Sequence, residues 1–371
     1  MSTVTNEVGT AETTVARPIA ERRKLRWVLL GIAVLAVSTA IGGLTLDASS
    51  LFVFNSVLVA CIGALALNML MGTAGLVSMG SAAFLTTGAF GTVYLQSIGI
   101  PSIAAILLAA VGSAVLGLLV GLPALRLRGL ELALASIAAF FIVLFLARKY
   151  QTNTVGAGAF IIDGWFSDLG LVAAQQAWAW VLFAIVSVIL VITNLTVTRK
   201  FGRGLRLIRD HENAAHALGY PVVRYKMTIF AISSGLIGLQ GALTANLTGV
   251  VSVDNFTILV SILYLQMILI GGLDSLAGAV IGAAIVVSLP TLTQDLVTSF
   301  WNLHSASVAS AQIAVIVGGV LVIVFVVGSR DGLVGALKLL QAKIARTWSR
   351  RNGEGTADAE GAGTGSPAGS A

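Results

Sequence analysis

Long apolar segments separated by short polar ones run through almost the whole chain. A helix needs about 20 apolar residues to cross a bilayer, and each apolar segment here lacks Lys and Arg in its interior. A membrane-spanning β-strand would instead alternate apolar and polar residues over about ten positions. The pattern predicts an all-α, polytopic membrane protein with about ten transmembrane helices, at residues 27–45, 51–71, 79–97, 103–124, 129–147, 176–197, 227–248, 257–272, 276–291 and 308–329.

The basic residues predict the orientation of these helices, because Lys and Arg accumulate in cytoplasmic loops. With both termini in the cytoplasm, only Arg148 and Lys149 of the 22 basic residues fall outside. The net charge of +6 is then explained by topology and by contact with anionic membrane lipid. We therefore predict a multi-pass membrane protein with cytoplasmic termini and no nucleic-acid partner.

The ends of the chain are polar and frame the membrane domain. An uncleaved first span is favoured over a signal peptide, because the first apolar run continues through Ile41 after a long leading segment. The last 20 residues have no large apolar side chain and are too polar to fold. The predicted organisation is a basic cytoplasmic segment at 1–26, a transmembrane domain at 27–329, a second basic cytoplasmic segment at 330–351 and a disordered tail at 352–371.

Composition argues against catalysis and against ion coupling. Ionisable residues within membrane helices mark proton relays and coupled transport, and the predicted spans contain almost none. The motifs GxSxG, HExxH and GxxxxGK[ST] do not occur, His211 and His216 do not share a helix face, and the single cysteine excludes a Cys-based metal site. We predict that the chain is not an enzyme and holds no metal and no cofactor.

Glycine is abundant and predicts close helix packing. Pairs at small-xxx-small spacing, such as Gly117 with Gly121 and Gly278 with Gly282, allow helices to approach closely in lipid. The segment at 67–95 is interrupted by glycine and hydroxyl residues more often than a simple span would be. Interrupted helices can line a transport pathway, or they can bend and bond their hydroxyls to their own backbone. The first alternative is favoured here, and its candidate residues are Ser78, Ser81, Phe84, Thr86 and Thr87.

The cytoplasmic loop at 199–226 carries signals for a short helix. Asp210 is a candidate N-cap, Gly219 suits the position after the last turn, and Pro221 prevents continuation. A helix of about two turns is marginal in water, so it needs a surface to dock on. That surface is either the membrane face of its own bundle or a partner protein. The predicted apolar stripe consists of Leu205, Ile208, Ala215 and Leu218.

The loop and the span after it resemble a known family. The stretch GRGLRLIRDHENAAHALGYPVVRYKMTIFAISSGLIGLQGAL is similar to the cytoplasmic loop and following span of branched-chain amino acid ABC transporter permeases of the LivM type. LNMLMGTAGLVSMGSAAFLTTGAF, LRLRGLELALASIAAF and MILIGGLDSLAGAVIGA resemble the family's N-terminal, middle and late signatures. The resemblance covers roughly residues 50 to 328, in the family's order.

The resemblance implies an importer permease driven by separate ATPase subunits, with branched-chain or related small amino acids as substrates. It implies as partners two ABC ATPase subunits, a second LivH-like permease subunit and an extracytoplasmic substrate-binding protein. Departures from the family pattern at Leu76, Ser81 and Glu131 leave urea, sugars and nucleosides open as substrates, and an ion-coupled secondary transporter or channel is the remaining alternative. The loop residues expected to couple to the ATPase are Arg209, Asp210, Glu212, Ala214, Ala215, Leu218 and Gly219.

Overall fold

The computed structural model describes residues 31–33, 35–43, 47–124, 130–162, 164–166, 170–301, 316 and 319–320. Almost all of this part of the chain is helical. In chain order the helices are α1 (described at residues 31–33 and 35–43), α2 (Ala48–Asn68), α3 (Ser81–Ser97), α4 (Ser102–Ala124), α5 (Leu130–Val155), α6 (Leu171–Thr198), α7 (Lys200–Asp210), α8 (Glu212–Ala217), α9 (Val222–Thr248), α10 (Ile258–Gly271) and α11 (Leu276–Trp301). Shorter elements are a π-helical turn (Met69–Thr73), a 3₁₀ turn (Val253–Asn255), β1 (Phe160–Ile161) and β2 (Val250–Val251).

Seven helical segments of the described part are long and apolar enough to cross a membrane. They confirm the prediction of an all-α, multi-pass membrane protein. α3 is only 17 residues long, and the predicted span at 308–329 lies almost wholly outside the described residues, as do the terminal segments at 1–26 and 330–371. The count of about ten spans therefore stays a prediction. The seven segments are Ala48–Thr73, Ser102–Leu122, Glu131–Val155, Leu171–Thr198, Val222–Thr248, Val253–Gly271 and Leu276–Thr293.

Glycine contacts bring α3, α4 and α9 together. A Cβ atom on Gly88 of α3 would overlap the backbone oxygen of Gly238 on α9, and one on Gly241 would overlap the backbone oxygen of Leu85. A Cβ atom on Gly117 of α4 would overlap the hydroxyl of a serine on α9. These helices approach to backbone distance, as the small-residue spacing predicts.

The pair α10 and α11 is packed in the same way. Gly271 and Gly278 face each other so closely that a Cβ atom on either would overlap the other's backbone, and a Cβ atom on Gly282 would overlap the carbonyl oxygen of Met267. The predicted small-residue pair on α11 therefore has the packing role that its spacing indicates.

One end of the bundle carries β1 and β2, which pair antiparallel through Phe160 and Val251. At this end α5 continues to Val155 rather than ending near residue 147 as predicted, and Gly156 follows it with a φ of 66°. Hydropathy alone placed the helix end at the first charges, whereas a helix can continue past the membrane until a left-handed glycine stops it. Arg148 thus lies on the helix, 3.8 Å from Asp254.

Candidate functional site

The other end of the bundle, which the charge distribution predicts to be cytoplasmic, carries α7 and α8. These two helices and the two residues after them form what we call the α7–α8 segment, residues 200–219, which joins α6 to α9. His211, with φ −147° and ψ 82°, separates the two helices and occupies the N-cap position of α8. The prediction that Asp210 is the N-cap is therefore wrong, because Asp210 is the last residue of α7. Gly219 follows α8 with a φ of 78°, which confirms its predicted left-handed conformation.

The predicted apolar stripe divides between the inside and the outside of the molecule. Leu205, Ile208 and Ala215 are 1%, 3% and 0% exposed, and Ile208 and Ala215 pack with Val222 of α9. Leu218 is 68% exposed, so its placement in one stripe with the others is wrong. Three of the four residues hold the segment against its own bundle, and Leu218 points away from it.

An ion pair anchors α8 to α9. Lys226 Nζ donates to Glu212 Oε1 at 2.7 Å, and the two side chains are 9% and 22% exposed. Stacking of Phe201 on Tyr225, with ring centroids 4.9 Å apart, adds an aromatic contact between α7 and α9. The segment is thus bound to the first turns of α9 by charge and by aromatic surface.

A second ion pair anchors α7 to the turn between α10 and α11. Arg206 donates from Nε to Asp274 Oδ2 at 3.0 Å and from Nη2 to Oδ1 at 2.9 Å. Thr73 Oγ1, in the π-helical turn after α2, donates to the same Oδ1 at 3.1 Å. A bidentate arginine–carboxylate pair fixes direction as well as distance. Three separate parts of the chain therefore meet at one carboxylate.

Arg209 lies one turn after Arg206 and also contacts the end of α2. It donates from Nη1 to the backbone oxygen of Gly72, and from Nε to Asp210 Oδ1 at 2.9 Å. Gly75 has a φ of 69°, and a Cβ atom there would overlap the Arg209 side chain. The stem of Arg209 thus covers a position that only glycine fits without strain.

The five predicted pathway residues lie in and just before α3, and four of them are buried while Thr87 is partly buried. The hydroxyls of Thr86 and Thr87 donate to their own helix, to the oxygens of Ala82 and Ala83 at 2.7 and 2.9 Å. Among the described residues Ser81 Oγ has no hydrogen-bond partner, although Ser81 is only 2% exposed. The four buried residues are Ser78, Ser81, Phe84 and Thr86.

A cavity of about 170 Å³ lies between α9, β2 and α10. Its polar lining comes from neutral side chains, including Gln240, Thr244 and Tyr264, and no charged residue lines it. Leu85 of α3 forms part of its wall. Because Ser81 and Leu85 are four residues apart, they share one face of α3.

Comparison with known proteins bears on the identity of the bundle. A family profile described as "Branched-chain amino acid transport system / permease component" matches residues 49–327, which is most of the chain. The chain belongs to this permease family.

Two curated relatives of the permease chain carry the name "High-affinity branched-chain amino acid transport system permease protein LivM". The protein from Salmonella typhimurium is 27% identical over 62% of this chain and 60% of its own length, and the one from Escherichia coli is 26% identical over the same shares. The chain therefore spans about three-fifths of the length of the curated relatives it matches. Among solved structures, "PsaBC from Streptococcus pneumoniae in complex with Fab" is 14% identical, with a TM-score of 0.42 over 78% of this chain and 95% of that one.

In the permease chain, sequence reasoning missed two groups that the structure brings together with the predicted coupling residues. Arg206 and Asp274 are not among the residues predicted from the sequence, yet they form the bidentate pair. The available signal was a basic residue at every third position of α7, from Lys200 to Arg209, which places Arg206 and Arg209 on one face. Across the described part of the chain, no group of three or more His, Cys, Asp and Glu residues could hold a metal ion.

Proposed function

We propose that this chain is the permease subunit of an ATP-binding cassette importer that moves branched-chain or related small amino acids across the bacterial cytoplasmic membrane. Two separate ATPase subunits hydrolyse the ATP. The observation that carries the proposal is the α7–α8 segment, which is anchored to the bundle on one side and exposes Leu218, 68% accessible, on the other. Membership of the permease family supports the proposal that this chain forms the membrane permease while separate subunits hydrolyse ATP.

The coupling residues divide by exposure and by bonding into three roles. Asp210, Ala214, Leu218 and Gly219 are exposed and form the surface that meets the ATPase. Ala215 is fully buried, so its role is to seat α8 on the bundle. Two further coupling residues, Arg209 and Glu212, transmit force, because each is bonded to another part of the chain.

The pathway follows the face of α3 that carries Ser81. A buried hydroxyl without a hydrogen-bond partner costs free energy, so Ser81 is suited to a partner that is present only during transport. The neutral cavity beside Leu85 continues the same face. Ser78, Phe84, Thr86 and Thr87 complete the lining, with Thr86 and Thr87 offering hydroxyl oxygens that still can accept a hydrogen bond.

The remaining partners follow from the same proposal. An extracytoplasmic binding protein delivers the amino acid to the end that carries β1 and β2. A second, LivH-like permease subunit completes the pathway, and membrane lipid covers the exposed apolar faces. The substrate class is tested by competition for uptake among leucine, valine, urea, a pentose and a nucleoside. Uptake in a strain that lacks this gene is compared with uptake in its parent strain. Competition by urea, the sugar or the nucleoside alone would contradict the amino acid assignment.

Replacement of Leu218 by aspartate tests the docking surface. We expect Leu218→Asp to weaken co-purification with the ATPase subunits and to lower substrate-stimulated ATP hydrolysis severalfold, while membrane insertion and the melting temperature stay unchanged. The physical reason is that Leu218 is exposed, so the substitution disturbs no internal packing. Leu171→Asp is the matched control, since Leu171 is 82% exposed at the start of α6, far along the chain from the segment. If Leu218→Asp binds the ATPase subunits as well as the wild type does, the docking proposal is contradicted.

A further inference from the structure

Asp274 has left-handed backbone, which is uncommon for a residue other than glycine. It has a φ of 61° and is the non-glycine residue with positive φ in the described part of the chain. Such conformations persist only where surrounding contacts enforce them, and they concentrate at functional sites. Here Asn68 enforces it: its Oδ1 accepts from Asp274 N at 2.9 Å, and its Nδ2 donates to the Ser275 oxygen at 2.9 Å.

The end of α2 beside this turn is also irregular. Residues Met69–Thr73 form a π-helical turn, a form that occurs often at functional sites. Thr73 bonds the Asp274 carboxylate, and Arg209 bonds the Gly72 oxygen. A Cβ atom on Gly72 would lie 2.5 Å from Asn68 Oδ1 and from Asp274 N. The π-helical turn, the α10–α11 turn and α7 are therefore in direct contact at one place.

The pair formed by Arg206 and Asp274 is half-buried rather than enclosed. Its side chains are 29% and 28% exposed. Water can therefore reach both charges, and the desolvation cost that makes a deeply buried pair hard to open or re-form is reduced. At the same time the two parallel hydrogen bonds hold α7 in a defined orientation while they last.

We propose that Arg206 and Asp274 are positioning residues: their ion pair is the contact through which displacement of the α7–α8 segment reaches the α10–α11 turn. This inference rests on the proposed function, because it assumes that an ATPase moves the segment. Without the pair, the ATPase would still bind the exposed surface and hydrolyse ATP. The movement would reach α9 through Glu212 and Lys226 and the end of α2 through Arg209, but it would be lost to the α10–α11 turn, so hydrolysis would proceed with little transport.

The test uses the complete transporter in liposomes, with leucine as the solute, and measures leucine taken up and ATP hydrolysed by the same preparation. Three variants are compared with wild type: Arg206→Gln, Asp274→Asn and the double variant. Asparagine tolerates positive φ, so Asp274→Asn removes the charge without changing the backbone preference. Arg203→Gln is the control, because Arg203 is an exposed arginine of the same helix, one turn away.

We expect each single variant to lower the leucine transported per ATP by about tenfold, since each removes a charge-assisted hydrogen bond. The double variant should be no worse than either single variant, because both remove the same interaction. Arg203→Gln should keep the wild-type ratio. If Asp274→Asn does not insert, Thr73→Val removes only one bond to the same carboxylate and should lower the ratio in the same direction.

Two results would overturn the positioning role. One is a wild-type ratio of leucine to ATP in the single variants. The other is a parallel fall in uptake, hydrolysis and melting temperature, which would indicate a structural role only. These differ from failure of the proposed function, which would appear in the wild-type protein as leucine uptake that does not depend on ATP.

Discussion

The α3–α4–α9 core and the α7–α8 segment both depend on glycine, but for different reasons. In the core, Gly88 and Gly241 leave room for backbone oxygens of neighbouring helices. At the end of the segment, Gly219 supplies left-handed backbone at φ 78°, and Gly75, against the side chain of Arg209, does so at φ 69°. The first use of glycine joins helices along their length, and the second lets the chain turn sharply between them.

The two regions also differ in the kind of contact that must be lost before their helices can move. Core helices in backbone contact cannot slide without creating overlap or empty space, so they are expected to move as one block. The segment is held by individual side-chain bonds, such as Arg206 to Asp274 and Lys226 to Glu212, which can open and re-form. Rearrangement is therefore expected at the segment and its contacts, with the core carried along.

The largest expected effect comes from adding one methyl group to the core. We expect Gly88→Ala to reduce membrane-inserted yield strongly and to cost about 1–3 kcal/mol or more of stability, because the new Cβ meets backbone rather than a side chain that can turn aside. The measurement is the thermal unfolding of purified protein in detergent. Gly112→Ala on α4 is the matched control, since a Cβ atom there has nothing within 4 Å.

A Gly88→Ala protein as stable as Gly112→Ala would show that α3 and α9 can separate at little cost. The core would then be no more rigid than the segment, and the contrast between the two regions would fail.

An intermediate effect is expected at the anchor between α8 and α9. Glu212→Gln should destabilise by about 1–3 kcal/mol, because it leaves the ammonium group of Lys226, 9% exposed, without its charged partner. Lys226→Met should cost less, since methionine keeps much of the apolar stem and leaves the charge of the more exposed Glu212 near water. Thermal unfolding of both variants at low ionic strength measures the difference. The reverse order would mean that Lys226 is solvated and that the anchor is weak.

Much of the fold was predictable because it depends on local sequence. Hydropathy identified nine helices of the described part, from α1 to α6 and from α9 to α11, since a span must hydrogen-bond its backbone polar groups within itself. Small-residue spacing predicted the close contacts of Gly117 and Gly278 for the same local reason. The left-handed conformation of Gly219 was also predictable, because few other residues end a helix in that way.

The candidate site was less predictable because its contacts join distant parts of the chain. Arg206 and Asp274 are 68 residues apart, and nothing in one sequence shows that two loops meet. α7 was missed because its apolar face is narrow and includes Gly202 and Gly204, which are poor helix formers, while its tertiary contacts stabilise it. Asp210 is of a residue type that often caps helices, but here it is the last residue of α7. The next helix, α8, therefore begins only at Glu212.

The smallest expected effects separate backbone strain from side-chain contact at the two left-handed glycines. Alanine at either Gly75 or Gly219 must adopt left-handed backbone, which lowers the stability of the protein by about 1–2 kcal/mol. A Cβ atom on Gly219 has nothing within 4 Å, whereas one on Gly75 meets the stem of Arg209. Gly75→Ala should therefore lower the melting temperature slightly more than Gly219→Ala does.

Gly75→Ala should also lower the leucine transported per ATP, because a displaced Arg209 side chain loses its hydrogen bond to the Gly72 oxygen. A wild-type ratio in Gly75→Ala would mean that the contact of Arg209 with α2 plays no part in coupling.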